Sequence, residues 1–224
     1  MKIFNSILAI ITRDFKITFR NFSDLISIFL FFLIGVTMFV FSIGPDNEIF
    51  NKIGIGVIWI LILLSNNLSL RKFFQEDFDD GNIILFHISG LSYELISLIK
   101  IISIWFFIQI PFFIIIPLSA ILLNIDLSNI RLILISFLIG SPILTCIASI
   151  SGSMNLLNKK NFSIGSLIMM ILSIPVIIFS VGIINISEEL ITAQLNILLG
   201  ILFFFLSITP WICSACIKLA LQSK

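Results

Sequence analysis

The stretch that decides the fold is residues 190–217, LITAQLNILLGILFFFLSITPWICSACI, which contains no Asp, Glu, Lys, Arg or His. A helix of about 20 apolar residues is long enough to cross the hydrocarbon core of a bilayer. Five further uncharged runs of comparable length precede this one, so the sequence predicts six transmembrane helices. The predicted spans are residues 25–45, 53–70, 101–125, 132–158, 161–187 and 190–217.

The composition of the whole chain agrees with these runs. Of its 224 residues, 59% are apolar and 11% are charged, whereas soluble domains carry about 25% charged residues. So few charges exclude a free soluble enzyme and a disordered chain. The net charge of +1 gives no indication of a nucleic-acid partner. The runs also argue against a β-barrel, because they lack its alternation of apolar and polar residues. We therefore predict an all-α integral membrane protein with a single transmembrane domain over residues 1–224.

Lys and Arg residues predict the orientation of this domain in the lipid bilayer. Eleven of them fall in the N-terminal segment, the second and fourth loops and the C-terminal tail, and two fall in the loops on the other side. Because basic residues accumulate on the cytoplasmic side, both termini are predicted to be cytoplasmic. The expected location is a bacterial inner membrane, or a mitochondrial inner membrane if the protein is organellar.

Residues 1–21 form a separate amphipathic pattern. At helical spacing their bases share one side and their apolar residues share the other, which predicts a helix lying in the membrane interface. No small-residue cleavage site follows, so a cleaved signal peptide is not expected. Asp14 is the exception, because it points into the apolar side. It either pairs locally with Arg13 or Thr18 or makes a polar contact with a partner subunit.

The predicted spans contain no ionisable side chain, which argues against an ion-coupled carrier and an intramembrane protease. The chain also lacks a phosphate-binding loop, and its one histidine, His87, is interpreted as a solvated loop residue. No catalytic, cofactor-binding or metal-binding residue is predicted. We interpret the chain as a non-catalytic membrane subunit, with ATP hydrolysis on a separate partner.

Cys213 and Cys216 form a C-x-x-C pair within the sixth span. One interpretation is a redox or haem-attachment pair, but haem attachment requires a histidine directly after the second cysteine, where this chain has Ile217. The favoured interpretation is two small residues one helical turn apart.

Small residues recur along the fourth predicted span at the spacing that allows helices to approach closely. The predicted helix-packing residues are Ser141, Thr145, Ser149, Gly152 and Ser153. They face either a neighbouring helix of the same subunit or a dimer seam. In the third span, Pro111 and Pro117 predict a kinked or discontinuous helix.

One acidic cluster stands out in residues 71–94, the segment predicted as a cytoplasmic coupling loop. If the second helix continued from residue 53 to residue 80, it would extend about 12 Å beyond the membrane core. The cluster is either a docking surface, with exposed Phe side chains, for a basic partner or a solvated loop. The candidate interface residues are Phe74, Glu76, Asp77, Phe78, Asp79, Asp80 and Gly81.

Residues 13–218 resemble the haem exporter protein B (CcmB) family, membrane permease subunits of an ABC-type complex for cytochrome c maturation. No single motif carries the resemblance; the ordered set does. The matching pieces are residues 41–45 (FSIGP), 53–59 (IGIGVIW), 74–81 (FQEDFDDG), 140–142 (GSP), 174–175 (IP), 178–179 (IF) and 209–210 (TP).

The resemblance implies an ABC-2-type permease fold and a set of partners. These are a CcmA-like ATPase subunit, CcmC-like and CcmD-like membrane subunits and a CcmE-like haem chaperone. It implies that the acidic segment couples to the ATPase, that ATP binds the partner, and that the complex exports haem or releases the haem-loaded chaperone. We expect haem to be bound chiefly by other subunits. The alternatives are a general ABC-2-type permease for lipid or drug and a membrane assembly scaffold without a conduit.

Overall fold

The computed structural model describes residues 2–44, 47–157, 163–183 and 188–223. Within these ranges the chain forms α-helices joined by short turns and contains no strand. The helices are α1 (Lys2–Arg20), α2 (Phe22–Ile43), α3 (Asn47–Asn67), α4 (Leu70–Phe73), α5 (Gln75–Asp79), α6 (Asn82–Ile88), α7 (Tyr93–Ile104), α8 (Phe112–Leu122), α9 (Ile130–Leu157), α10 (Ser163–Gly182) and α11 (Glu188–Gln222).

Six helical segments in the described ranges are long and apolar enough to cross a membrane. They are α2, α3, α7 with α8, α9, α10 and α11, and each corresponds to one predicted span. The prediction of an all-α integral membrane protein is therefore confirmed. The third segment begins at Tyr93 rather than at residue 101, because Lys100 lies inside α7. The predicted span ends at residues 45, 158, 161 and 187, together with Lys159 and Lys160, lie outside the described residues.

The third segment is discontinuous, as its prolines predict. A π-helical turn, Trp105–Gln109, separates α7 from α8. Pro111 lies two residues after the end of this turn, and it cannot donate the backbone hydrogen bond that would continue the helix. Pro117 lies inside α8 without ending it.

Helix α9 lies at the centre of the bundle, with α10 and α11 packed against it. All five predicted packing residues, from Ser141 to Ser153, are buried in this chain. At Gly152, an added Cβ would lie 2.9 Å from the backbone oxygen of Leu70. The absence of a side chain at Gly152 therefore lets α4 lie against α9.

The short helices α4, α5 and α6 lie with α1 at one end of the bundle, which we call the α1 end. The hypothesis of one continuous helix over residues 53–80 is wrong, because α3 ends at Asn67 and a turn follows. The Ser69 hydroxyl donates a 2.7 Å hydrogen bond to the Asn66 carbonyl in this turn. After this turn, Leu70 and Phe73 are buried and lie beside Gly152 of α9, whereas a helix projecting from the bundle would leave these side chains in water.

Candidate functional site

Four charged side chains meet at the α1 end and form the buried charge cluster: Arg13 and Asp14 from α1, Asp77 from α5 and Lys100 from α7. The guanidinium of Arg13 lies 2.6 Å from one carboxylate oxygen of Asp77 and 3.1 Å from one of Asp14. The Lys100 ammonium contacts the other Asp77 oxygen and lies 3.4 Å from Asp14. Two acids and two bases leave the cluster neutral, as buried charges require.

The packing of α1 explains why Asp14 occupies its apolar side. Ile10 is buried against Leu91, which precedes α7, and against Ile96 and Ile99 in the first two turns of α7. Asp14 lies one helical turn after Ile10, so both side chains face α7. The predicted local pair between Asp14 and Arg13 is present, and Lys100 is a second partner that the sequence pattern did not indicate.

Asp77 faces inward on α5 because the apolar side chains of Phe74 and Phe78 point the same way, into the core. The Asn82 side-chain amide donates a further hydrogen bond of 3.2 Å to Asp77. Asn82 begins α6 directly after Gly81, whose φ of 76° is a left-handed conformation that glycine adopts without strain. Gly81 therefore turns the chain so that α6 starts beside Asp77.

The two carboxylates of the cluster differ in their protonation equilibria. Burial raises the pKa of Asp14, and the neighbouring negative charge of Asp77 adds to this increase, while Lys100 and Arg13 offset only part of it. Burial also acts to raise the pKa of Asp77. Here the charge of Lys100 and the hydrogen bonds from Arg13 and Lys100 outweigh burial and hold the pKa below its ordinary value. The neighbouring bases therefore stabilise the negative charge of Asp77 more than that of Asp14.

A cavity of about 400 Å³ lies beside the buried charge cluster, between α1, α2, α5 and α7. Its lining includes the apolar side chains of Phe107 and Ile108 from the π-helical turn and charged side chains of both signs from α1, α4 and α5. One of these, Lys72, lies 3.4 Å from Asp24. The cavity therefore brings charged and apolar side chains together beside the third membrane segment.

Comparison with known proteins gives the family. The sequence matches the family model of the CcmB protein over residues 5–220. The chain belongs to the CcmB protein family. A heme exporter protein B from Haemophilus influenzae is 27% identical over 218 residues, which cover 96% of this chain and 99% of the relative. The Pseudomonas aeruginosa protein of the same name is 25% identical over 94% of this chain and 96% of its own length. The one from Rhodobacter capsulatus is 28% identical over 96% and 99%.

In this CcmB-family chain, the candidate interface residues divide into two groups. Phe74, Asp77 and Phe78 are buried, so the expectation of exposed Phe side chains on the acidic segment is wrong. The apolar rings pack into the core, where they lose contact with water. The side chains that face outward are Glu76, Asp79 and Asp80, and Gly81 is partly exposed.

Sequence reasoning missed the buried charge cluster, although two signals pointed to it. Lys100 is a lone base directly before an uncharged run, and Asp14 is a lone acid on an apolar helix side. Each would be costly to bury without a partner of opposite charge. For Lys100 that partner is Asp77, and because the two residues lie far apart in the chain, sequence spacing does not indicate the pairing.

His87 and the cysteines provide no further site. His87 lies in α6 rather than in a loop, is exposed, and stacks on Tyr93 with ring centroids 4.2 Å apart. Cys213 and Cys216 are unpaired thiols, and the Cys213 sulfur lies 3.6 Å from the Ser149 hydroxyl. Among the described residues, no group of three or more His, Cys, Asp or Glu side chains is arranged to hold a metal ion.

Proposed function

We propose that this chain is the membrane permease subunit of an ABC-type complex that exports haem, or releases a haem-loaded chaperone, during maturation of c-type cytochromes. The observation that carries the proposal is the family match over residues 5–220, together with the relatives named heme exporter protein B. The absence of a phosphate-binding loop from the sequence supports an energy source on another subunit.

Deletion of the gene tests this function directly. We expect c-type cytochromes to be lost while haem synthesis continues, and re-expression of the chain to restore them. Normal c-type cytochromes in the deletion strain would contradict the proposal and favour a general permease for lipid or drug. A subunit interface that stays closed in every nucleotide state would favour an assembly scaffold.

We further propose that a CcmA-like ATPase docks at the α1 end on the acidic docking face, which consists of Glu76, Asp79 and Asp80. All three side chains are exposed. Asp79 accepts a 2.9 Å hydrogen bond from Gln75, which fixes one of the carboxylates. Glu76 and Asp79 lie on α5 and Asp80 directly follows it, and a surface of three such acids complements a basic groove. The charge of the face is therefore available to a partner.

Charge reversal tests this docking face. The triple variant E76K/D79K/D80K is expected to lose co-purification of the ATPase in mild detergent, because attraction becomes repulsion. The variant D126K reverses one exposed acid at the other end of the bundle and is the matched control. Unchanged association and ATPase activity in the triple variant would contradict the docking proposal.

The remaining partners are CcmC-like and CcmD-like membrane subunits and a CcmE-like chaperone, with haem held chiefly by those proteins. We propose a cell inner-membrane location with both termini cytoplasmic, supported by the distribution of Lys and Arg. Purification of a tagged chain in mild detergent, followed by mass spectrometry of the co-purifying subunits, tests this set. Recovery of the chain without any of these subunits would contradict it.

A further inference from the structure

We infer that the buried charge cluster couples the acidic docking face to the π-helical turn of the third membrane segment, with Lys100 and Arg13 as positioning residues. The inference rests on the proposed function, because it assumes that an ATPase moves the docking face. It goes further by naming the residues through which that movement reaches the membrane.

The first step of the coupling is the geometry of α5. This helix has only five residues, and it presents Glu76 and Asp79 outward while Asp77 points inward. A partner that displaces the outer carboxylates therefore displaces Asp77 as well. No flexible linker separates the docking face from the buried charge.

The second step is the contact from Asp77 to α7. Lys100 is buried, and it contacts the carboxylates of both Asp77 and Asp14. Separating these charges would leave an ion without a partner in a medium that solvates it poorly. The ion pairs therefore move together more readily than they break, and a shift of α5 displaces α7.

The third step is the π-helical turn, Trp105–Gln109, which begins about one helical turn after Lys100. Such turns mark places where a helix bends, and they are frequent at functional sites. At the last residue of this turn, the Gln109 side chain donates a 2.9 Å hydrogen bond to the buried Asn66 side chain of α3. The segment is thus held at Lys100 by α5 and at Gln109 by α3, so relative movement must be absorbed between these two residues, a stretch that includes the π-helical turn.

Helix α1 reinforces this connection at both ends. Arg13 binds Asp77 on α5, and two residues later the Phe15 ring lies 5.5 Å from the Phe107 ring of the π-helical turn. The outer side of α1 exposes large apolar side chains, including Leu8 and Phe19, which suit the membrane interface. Helix α1 therefore bridges the docking helix and the bend from the surface of the membrane.

The cavity supplies the space for such a movement. It borders the cluster and the π-helical turn, and Ser103 lines it between them. Among the described residues, the buried Ser103 hydroxyl has no hydrogen-bond partner. Side chains of α7 can therefore shift into the cavity without overpacking the core.

Neutral variants in the assembled complex test the coupling. K100Q and D77N/K100Q are expected to retain the ATPase on co-purification while the yield of mature c-type cytochrome per ATP hydrolysed falls about tenfold. K100R keeps the positive charge and is expected to restore coupling. K218Q is the matched control, because Lys218 makes an ion pair with Glu94 away from the cluster. Wild-type coupling in D77N/K100Q would overturn the inference.

A second measurement follows the wild-type chain, and a variant serves only to assign one resonance. Incorporation of 5-fluorotryptophan places a ¹⁹F label on Trp105 in the π-helical turn, and W105F identifies its resonance. We expect this resonance to shift when the ATPase and nucleotide bind. An unchanged resonance in the bound complex would overturn this inference but not the proposed function. Failure of any ATPase to associate with the wild-type chain would overturn the proposed function and this inference with it.

Discussion

The guanidinium of Arg13 lies 2.6 Å from the carboxylate of Asp77, although 64 positions separate the two residues in the chain. This ion pair ties the N-terminal helix to the acidic segment, and Lys100 joins both to the third membrane segment. The predictions below test the energetics of this arrangement and the packing that surrounds it.

The two acids of the cluster are expected to differ in their importance for stability. D77N removes the carboxylate that both Arg13 and Lys100 contact, so it should lower the free energy of unfolding by about 3 kcal/mol or more. D14N should cost less, because burial penalises the Asp14 anion more than its partners compensate it. Thermal unfolding of the purified variants in the same detergent at pH 7 measures both effects. Equal losses, or a larger loss in D14N, would contradict the prediction.

The same two acids predict a distinct pH dependence. The pKa of Asp14 is raised above 3.8, so its contribution to stability is fully present below that pH and is lost as the pH rises through the raised pKa. The pKa of Asp77 is lowered, so its contribution is present above 3.8 and is lost as the pH falls through the lowered pKa.

Acidification from pH 7 to about 4 should therefore increase the stability of the wild type relative to D14N. The stability of the wild type relative to D77N should decline only at lower pH, when Asp77 itself takes up a proton. Unfolding midpoints of the three proteins across this range give the two differences. A difference between wild type and D14N that does not change with pH would refute the raised pKa of Asp14.

Two lysines in ion pairs provide a matched comparison of buried and exposed charge. Lys100 is 7% exposed and Lys218 is 52% exposed. K100Q should cost about 3–5 kcal/mol, because it leaves two buried carboxylates with one base. K218Q should lower the free energy of unfolding by about 1 kcal/mol or less, because the Lys218 ammonium is exposed to water and Glu94 keeps its hydrogen bond from Ser214. Chemical unfolding in mixed micelles compares the two, and similar losses would contradict the burial of Lys100.

The close approach of α4 to α9 predicts a strict requirement for glycine at position 152. G152A places a methyl group 2.9 Å from the Leu70 oxygen, so it should destabilise the protein by about 1–3 kcal/mol through overpacking. G200A is the control, because nothing lies within 4 Å of its added Cβ. It should leave stability unchanged or slightly raised, since alanine favours helices over glycine. Equal unfolding midpoints for the two variants would show that α4 does not pack on α9 here.

The proposed orientation predicts which end of the bundle faces the periplasm. Ser89 and Asp126 are exposed at opposite ends, and the three native cysteines are buried. In intact cells, a membrane-impermeant maleimide should label D126C and leave S89C unlabelled until the membrane is opened. The reverse labelling pattern would place the termini outside the cytoplasm.

The membrane architecture could be predicted from the sequence alone, because burial in lipid is a local requirement. Every residue of a span must itself be apolar, so the absence of charge in residues 190–217 already indicates a spanning helix. For the same reason, Pro111 predicted the break in the third segment, since its missing N–H acts within its own helix.

The conformation of the acidic segment and the burial of its side chains depended on tertiary structure. Its phenylalanines could be assigned to a helix side but not to a neighbour, so the sequence was consistent with an exposed, projecting helix. Only the surface of α9, open beside Gly152 where Leu70 and Phe73 pack, decided that the chain stays against the bundle and that Phe74 and Phe78 are buried.

The buried charge cluster was likewise decided by tertiary structure alone. Asp77 looked like one of four similar acids, and Lys100 looked like a loop residue. The difference between Asp77 and its exposed neighbour Asp79 arises when α1 and α7 bring Arg13 and Lys100 to one of them. Electrostatic energy depends on distance in space rather than along the chain, so the sequence determined which charges this protein has, and the fold determined which of them meet.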